Sequence, residues 1–236
     1  MAIRRPTRAL RRAYELMFAA HGHQHWWPGD TPFEICIGAI LTQNTAWTNV
    51  EKAITNLKRA KVLSPKRMHD LPVAELAELI RPAGYFNIKA DRLRHFLATL
   101  LDEHGGKLDR LFAGETAEVR VRLLAIKGIG PETADSMLLY AGDHRSFVID
   151  AYTKRIFQRH KWWTGVGEQA KAKANNNEEY ESLQRLCEEA LGQKSGEAEL
   201  DYWQDYHAQL VVIGKDYCKT RNPNCDECPL KPLLPR

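Results

Sequence analysis

Apolar side chains recur at helical spacing along most of the 236-residue chain, and this periodicity limits the fold more than any other feature. Apolar residues three or four positions apart form one face of an amphipathic helix, which must be buried against another element. The pattern predicts helices over residues 9–20, 33–41, 50–58, 73–80, 89–101, 117–125, 132–140, 150–159, 178–190 and 202–214. Since no convincing run of alternating polar and apolar residues competes with them, we expect an all-α fold.

Composition and charge limit the possible location and partners of the chain. A formal net charge of +4 is compatible with a nucleic-acid partner but does not require one. No apolar run approaches the ~20 residues that span a bilayer, so no membrane partner is expected. The basic start leads into an amphipathic stretch and not into a signal-peptide core, which favours a cytoplasmic, nucleoid-associated protein.

The segment Leu123–Ala134 carries the most information about function. It predicts a helix, a tight Gly128-Ile129-Gly130 hairpin, and a second helix that opens at Pro131. The free N–H groups at the start of that helix suit a phosphate, and such contacts position DNA without reading its sequence. Lys127 and Thr133 flank the hairpin and join the candidate DNA contacts. The alternative is an ordinary helical corner that ends in a glycine cap.

A carboxylate follows the hairpin, in the segment Val148-Ile149-Asp150. Together with the hairpin, 84–90 and 40–45, this segment resembles the helix-hairpin-helix superfamily of DNA glycosylases, the endonuclease III relatives. The resemblance implies that Asp150 is catalytic. A carboxylate stabilises the positive charge that develops on the sugar as a glycosidic bond breaks, and it activates a nucleophile. Asp150 is also a favourable N-cap for the helix that follows, and the two roles are compatible.

The second hairpin helix lacks the lysine nucleophile of the bifunctional members of that superfamily. Aligning the hairpins places Glu132 at its position, and a glutamate cannot form a Schiff base with the sugar. Lys127 lies on the hairpin itself, where a phosphate contact is expected. The sequence therefore predicts a monofunctional enzyme that uses water, with Glu132 as a further residue of the catalytic pocket.

Two aromatic segments suggest the pocket for the base. Trp26-Trp27-Pro28 and the segment from Leu41 to Trp47 resemble the 3-methyladenine glycosylases of the endonuclease III type, in which matching aromatics sandwich the base. Aromatic faces attract a cationic alkylated purine. Gln43 or Asn44 is expected to fill the gap left by the extruded nucleotide. The alternative is that Trp26 and Trp27 are anchors of the core or of an interface.

Three cysteines, Cys218, Cys225 and Cys228, lie close together near the end of the chain. Their spacing resembles the iron–sulfur loop of endonuclease III relatives, whose fourth cysteine would fall at Leu234. We expect a [4Fe–4S] cluster with Cys187 as first candidate for the missing ligand and His207 as another. A three-cysteine cluster with an open site, or zinc completed by a histidine, are the alternatives.

Taken together, the resemblance predicts a two-lobed fold. A six-helix barrel over 22–143 would carry the hairpin, and 1–21 with 144–236 would form a second lobe with the cysteine loop. The expected function is a monomeric glycosylase that removes alkylated purines from double-stranded DNA. The alternatives are a glycosylase for oxidised or mismatched pyrimidines and a DNA-binding homologue without activity.

Overall fold

The protein is a set of packed α-helices, seen in a computed structural model that describes residues 4–163, 176–192 and 197–235. The helices are α1 Arg4–His21, α2 Pro32–Leu41, α3 Trp47–Arg59, α4 Pro65–Asp70, α5 Val73–Leu79, α6 Phe86–Asp102, α7 Leu108–Leu111, α8 Thr116–Leu124, α9 Pro131–Ala141, α10 Ala151–Arg159, α11 Asn176–Leu191 and α12 Glu197–Asp216. Two 3₁₀ turns, Arg81–Ala83 and Lys231–Leu233, complete the regular structure. The described residues contain no strand, which confirms the all-α prediction.

Each helix predicted from periodicity is present, with its ends shifted by a few residues. The largest shifts are at α1, which begins at Arg4, and at α12, which begins at Glu197. The two short helices α4 and α7 were not predicted, because six and four residues are too few to show a periodic pattern. Among the described helices, none combines the length and the apolar character that a membrane span requires.

The chain divides into two compact units. The central unit is Pro28–His144, and the terminal unit combines Met1–Trp27 with Arg145–Arg236. Residues 22–27, which were expected in the barrel lobe, therefore cluster with the terminal unit. The helix α2 forms the core of the central unit: its residues from Glu34 to Leu41 are all buried, and it packs against α3, α6 and α9.

The terminal unit is built from α1, α10, α11 and α12, with α1 against α11 and α12, and α10 against α12. The approach of α10 to α12 depends on Gly214. A Cβ atom at that position would lie 2.3 Å from Cδ1 of Tyr152. Because the glycine has no side chain, the start of α10 can lie directly on α12.

Candidate functional site

Asp150 is the N-cap residue of α10, as the sequence predicted. Its Oδ1 atom accepts a hydrogen bond of 2.7 Å from the backbone N–H of Thr153. This bond fixes the rotation of the carboxylate, since a cap must point along the helix axis to reach the first turn. The second oxygen, Oδ2, takes no part in this hydrogen bond.

The extended segment before Asp150 is held by one face of α11. The Ile149 N–H donates to the Tyr180 hydroxyl at 3.3 Å, Gln184 Nε2 donates to the Phe147 carbonyl at 2.8 Å, and the Phe147 N–H donates to Glu188 Oε1 at 3.0 Å. Buried backbone groups need partners, and this segment belongs to no sheet. Residues 180, 184 and 188 are four apart, so one helix face supplies all three partners and thereby positions Asp150.

His207 of α12 lies beside the catalytic candidate. Its Nε2 atom is 3.8 Å from Oδ2 of Asp150, and its side chain is almost fully buried. Burial lowers the pKa of His207, although the Asp150 carboxylate acts in the opposite direction. The imidazole is therefore neutral at neutral pH. The sequence suggested His207 only as a metal ligand, and the structure instead brings it to Asp150.

Trp26 lies next to the same histidine. The ring centroids of Trp26 and His207 are 5.9 Å apart, and those of Trp26 and Trp27 are 5.3 Å apart. Both tryptophans are half-buried. The structure therefore brings together three features of the terminal unit, namely a carboxylate, a neutral imidazole and a partly exposed aromatic pair.

The segment that carries Trp26 is anchored to α12 by a fully buried carboxylate. Asp205 Oδ1 accepts from the Gln24 N–H at 2.7 Å, and its Oδ2 accepts from the Tyr14 hydroxyl at 2.9 Å. Gln209 Nε2, one turn further along α12, donates to the Gly22 carbonyl at 2.6 Å. These contacts have no signal in the local sequence, because they join residues about 180 positions apart.

In the central unit, the predicted hairpin joins α8 and α9. Gly128 has φ +94, and a Cβ atom there would lie 2.4 Å from Arg92 Cγ, so both its conformation and its packing require glycine. Gly130 is the N-cap of α9, and no side chain caps this helix. Asp135 of α9 accepts a bidentate pair from Arg120 of α8, at 2.8 and 3.1 Å, which fixes the two helices together. Lys127, Gly130 and Glu132 are exposed, whereas Ile129 and Thr133 are buried.

Gln43 contacts the hairpin and does not project from the loop after α2. Its Nε2 atom donates to the Gly128 carbonyl at 3.1 Å and to Thr133 Oγ1 at 2.9 Å, while Arg92 donates to its Oε1. The sequence offered Gln43 and Asn44 as equal candidates to fill the gap in DNA. Asn44, with φ 53 and an exposed side chain, is the one that projects from this loop.

Lys89 binds the loop that follows α2, and the sequence analysis did not identify this residue. The residue is 1% exposed, and its ammonium group donates three hydrogen bonds, to the Leu41 carbonyl at 2.7 Å, to Thr45 Oγ1 at 2.6 Å and to the Ala83 carbonyl at 2.8 Å. Burial, followed by the charge of Arg92, lowers its pKa to about 8. The local sequence gave no signal, because α6 also carries Asp91, Arg92 and Arg94 and does not mark Lys89 as buried.

The remaining pocket candidates lie in the central unit. Trp47 is the first residue of α3 and is half-buried, and Pro28 is exposed. The hairpin, Asn44, Trp47 and Glu132 thus belong to one unit, and Asp150, His207 and the tryptophan pair belong to the other.

Cys218, Cys225 and Cys228 line a single small cavity of the terminal unit. The rest of its wall is formed by Arg159, His160, Tyr217, Lys231 and Leu234. Arg159 Nη1 donates to Cys218 Sγ at 2.8 Å. Burial raises the pKa of Cys228, and the two neighbouring cysteines raise it further.

The cavity does not include Cys187. That cysteine lies on α11 with a fully buried side chain, and it is close enough to Tyr206 to raise the pKa of the tyrosine. It faces the packed interior because it occupies an apolar position of the helix. Among the described residues, no three His, Cys, Asp or Glu side chains converge on a point where one metal ion could bind.

Comparison with known proteins places this geometry in a family. Residues 37–186 match the HhH-GPD superfamily, described as base excision DNA repair proteins. A Methanocaldococcus jannaschii protein named as a DNA repair glycosylase is 40% identical over 225 residues, covering 93% of each chain. Endonuclease III of Thermotoga maritima is 27% identical over 201 residues, covering 85% of this chain and 81% of its own.

Solved structures show the same fold. The Helicobacter pylori 3-methyladenine DNA glycosylase bound to 1,N6-ethenoadenine superposes with a TM-score of 0.70 at 26% identity, covering 89% of this chain and 97% of its own. An endonuclease III–DNA complex superposes with a TM-score of 0.74 at 21% identity, covering 97% and 94% of the two chains.

Proposed function

Because the chain belongs to the HhH-GPD superfamily of base excision DNA repair proteins, we propose that it is a monofunctional DNA glycosylase that hydrolyses alkylated purines from double-stranded DNA. The observation that carries this proposal is the group formed by Asp150, His207 and Trp26. It combines a carboxylate for the sugar with an aromatic face for the base.

Asp150 performs the central step. Its Oδ1 atom is engaged by the Thr153 N–H, so Oδ2 is the oxygen available to accept a proton from water or to face the sugar. As the base leaves, positive charge grows on the sugar, and a fixed carboxylate stabilises that charge without reorganisation. His207 is neutral and its Nε2 lies 3.8 Å from Oδ2, so it borders the carboxylate without cancelling its charge.

Glu132 supports hydrolysis without strand cleavage. The exposed carboxylate of Glu132 lies in the first turn of α9. The bifunctional members of the superfamily that the sequence resembles carry a lysine at this position. A carboxylate cannot form a Schiff base with the sugar. The covalent imine from which strand cleavage would proceed therefore does not form. On the strength of the same resemblance we assign Glu132 a role in catalysis.

The aromatic side chains favour an alkylated purine. Trp26 and Trp27 keep part of their rings exposed, and a π face attracts a ring that alkylation has made cationic. We assign Pro28 and Trp47, which belong to the central unit, to recognition of the base on the strength of the sequence resemblance. The likeness to a 3-methyladenine glycosylase, at 26% identity over most of the chain, supports this substrate class.

DNA contacts are assigned to the hairpin and to the loop after α2. The uncapped start of α9 offers the N–H groups of Glu132 and Thr133 to a phosphate, and Lys127 adds a positive charge beside them. Gly128 and Gly130 contribute through their backbone, and Ile129, whose side chain is buried and whose N–H donates to the Ile126 carbonyl at 3.0 Å, contributes by fixing the hairpin. Asn44 is assigned to the gap left by the extruded nucleotide, and Gln43 to the support of the hairpin.

The cysteine cavity fits a [4Fe–4S] cluster, and we assign that cofactor to it. A cluster binds each ligand to a different iron, so its ligands surround a hollow, as the three cysteines do here. The Arg159 guanidinium beside Cys218 Sγ compensates thiolate charge. When bound, the cluster would fix the loop from Cys218 to Cys228, which carries Lys219 and Arg221.

The test is release of free base from duplex DNA treated with a methylating agent, with Asp150→Asn as the matched variant. We expect wild type to release 3-methyladenine and the variant to release none, while both bind undamaged duplex equally. Borohydride should trap no protein–DNA adduct with wild type, and a trapped adduct would contradict hydrolysis without lyase chemistry.

A second candidate function rests on the endonuclease III relatives, which match at 27% identity over 85% of the chain. Duplexes that each carry one oxidised or mismatched pyrimidine separate it from the first. Release of these bases, without release of 3-methyladenine, would replace the alkylpurine proposal. Equal inactivity of wild type and Asp150→Asn on every duplex would leave a DNA-binding protein.

A further inference from the structure

The cysteine cavity contains three thiol ligands and, among the residues that the structure describes, lacks a fourth. Leu234, at the position where the cysteine spacing would place a fourth ligand, lines the cavity with an apolar side chain. A [4Fe–4S] cluster normally takes four protein ligands, one for each iron. If the cofactor is as proposed, three irons are accounted for and the fourth needs another donor.

His160 lines the same cavity and is placed to be that donor. It is the C-cap residue of α10, directly after Arg159, whose guanidinium donates to Cys218 Sγ. Its ring stacks on Trp162, with centroids 4.4 Å apart and planes 27° apart, which fixes the orientation of the imidazole. His160 therefore combines a place on the wall of the cavity with a ring plane that packing against Trp162 fixes.

The tautomer of His160 is set by a backbone contact. Its Nδ1 atom is 3.2 Å from the Leu233 carbonyl, and a carbonyl can only accept, so Nδ1 carries the proton. In the neutral ring, Nε2 then holds a lone pair. A histidine that donates one ring N–H to a backbone carbonyl and offers the other nitrogen is the usual arrangement at protein-bound metals.

The other residues of the wall are less suitable. Arg159 and Lys231 are cations without a lone pair to share, and Lys231 pairs with Asp226 at 3.0 Å. The Tyr217 hydroxyl lies 3.5 Å from His21 Nε2. Imidazole nitrogen is an established ligand of iron in sulfur clusters.

We infer that His160, through Nε2, is the fourth protein ligand of the cluster, in place of the cysteine that Leu234 replaces. This inference rests on the [4Fe–4S] assignment of the proposed function. It concerns only the identity of one ligand, so it is tested apart from base excision.

The experiment uses the full chain, purified without oxygen and reconstituted with iron and sulfide. Iron and sulfide are counted per chain, the cluster is reduced, and pulsed electron paramagnetic resonance measures nitrogen coupling. Protein labelled with ¹⁵N only in histidine identifies the source of the signal. We expect four irons, and a strong coupling that changes from ¹⁴N to ¹⁵N with the label.

Variants separate ligation from support of the fold. His160→Ala should lose the coupling and one iron, whereas His160→Cys should lose the coupling but keep four irons. Restoring the cysteine at the spacing position, in the double variant His160→Ala with Leu234→Cys, should also recover four irons. His104→Gln, in the central unit, is the matched control and should keep both signals.

Three results would overturn the inference. A four-iron cluster without histidine coupling, or a three-iron cluster in wild type, would exclude His160 as a ligand while leaving an iron–sulfur cofactor in place. A wild-type chain that takes up no iron would overturn the cofactor assignment together with this inference, and base release would still decide the glycosylase proposal separately.

Discussion

Replacing Lys89 with methionine tests how the loop after α2 is supported. Lys89→Met keeps most of the volume of the side chain and removes the ammonium group that holds the Leu41, Thr45 and Ala83 oxygens. Methionine is close to lysine in length, so the change probes the hydrogen bonds and the charge with little change in packing.

The expected loss of stability follows from two opposing effects. The Leu41 carbonyl and Thr45 Oγ1 lose their donor, which costs about 3 kcal/mol each because both hydrogen bonds are made to a charged group, whereas the Ala83 carbonyl keeps the Thr45 hydroxyl as a donor. Removing the buried charge recovers part of this: a pKa lowered from 10.5 to about 8 corresponds to a charge penalty of about 3 kcal/mol. The net destabilisation at pH 7 is therefore about 3 kcal/mol.

The difference between wild type and Lys89→Met should also depend on pH. The pKa of Lys89 is lower in the folded protein than in the unfolded chain, so between pH 8 and 10.5 the unfolded state holds more protons. Stability of wild type relative to the variant should thus rise across this window, by up to about 3 kcal/mol, and stay constant below it.

Urea unfolding of both proteins from pH 7 to pH 10 measures these quantities, with the exposed Lys52→Met as the matched control. The control should lie within about 0.5 kcal/mol of wild type. A Lys89→Met protein within about 1 kcal/mol of wild type at pH 7, or a difference that does not change above pH 8, would refute the reasoning.

Three further substitutions test the other parts of the site. Gly128→Val forces a branched side chain to φ +94 and against Arg92, so it should destabilise the fold by at least about 2 kcal/mol. It should also weaken binding to damaged and undamaged duplexes by the same factor. A titration in which only one lesion loses affinity would contradict a phosphate contact. Trp26→Ala should lower kcat/KM for base release by about 10-fold or more and leave affinity for undamaged duplex unchanged, and equal losses in both would make Trp26 a packing residue. His207→Gln removes a group that burial keeps neutral and that, once protonated, pairs with Asp150. The fall in kcat of wild type below pH 6.5 should therefore weaken in this variant, and an unchanged pH profile would exclude the role.

The sequence predicted those features whose cause is local. Helices followed from apolar spacing, and the capping role of Asp150 followed from a carboxylate placed before a helical stretch. The hairpin followed from its two glycines. Each depends on residues within a few positions, so the pattern is visible without the fold.

Features that depend on distant contacts were not predictable. Lys89 acts through oxygens up to 48 positions away, and His207 meets Asp150 only because α12 packs on α10. The sequence analysis placed Gln43 among the DNA contacts. The residues around it do not reveal its hydrogen bond to Gly128 of the hairpin, which lies 85 positions further along the chain. Cys187 was expected near the other cysteines, but it does not line their cavity. The positions of the cysteines in the sequence do not reveal that Cys187 lies on the buried face of α11.

The three side chains of α11 that hold the segment before Asp150 impose a constraint on length as well as on chemistry. Tyr180, Gln184 and Glu188 share a face because they are four residues apart. Inserting one residue between Tyr180 and Glu188 would turn the later part of the helix by about 100° and separate the partners of Ile149 and Phe147. The number of residues in this stretch of α11 therefore matters to the position of Asp150 as much as the identity of the three side chains does, although none of them is expected to meet the substrate.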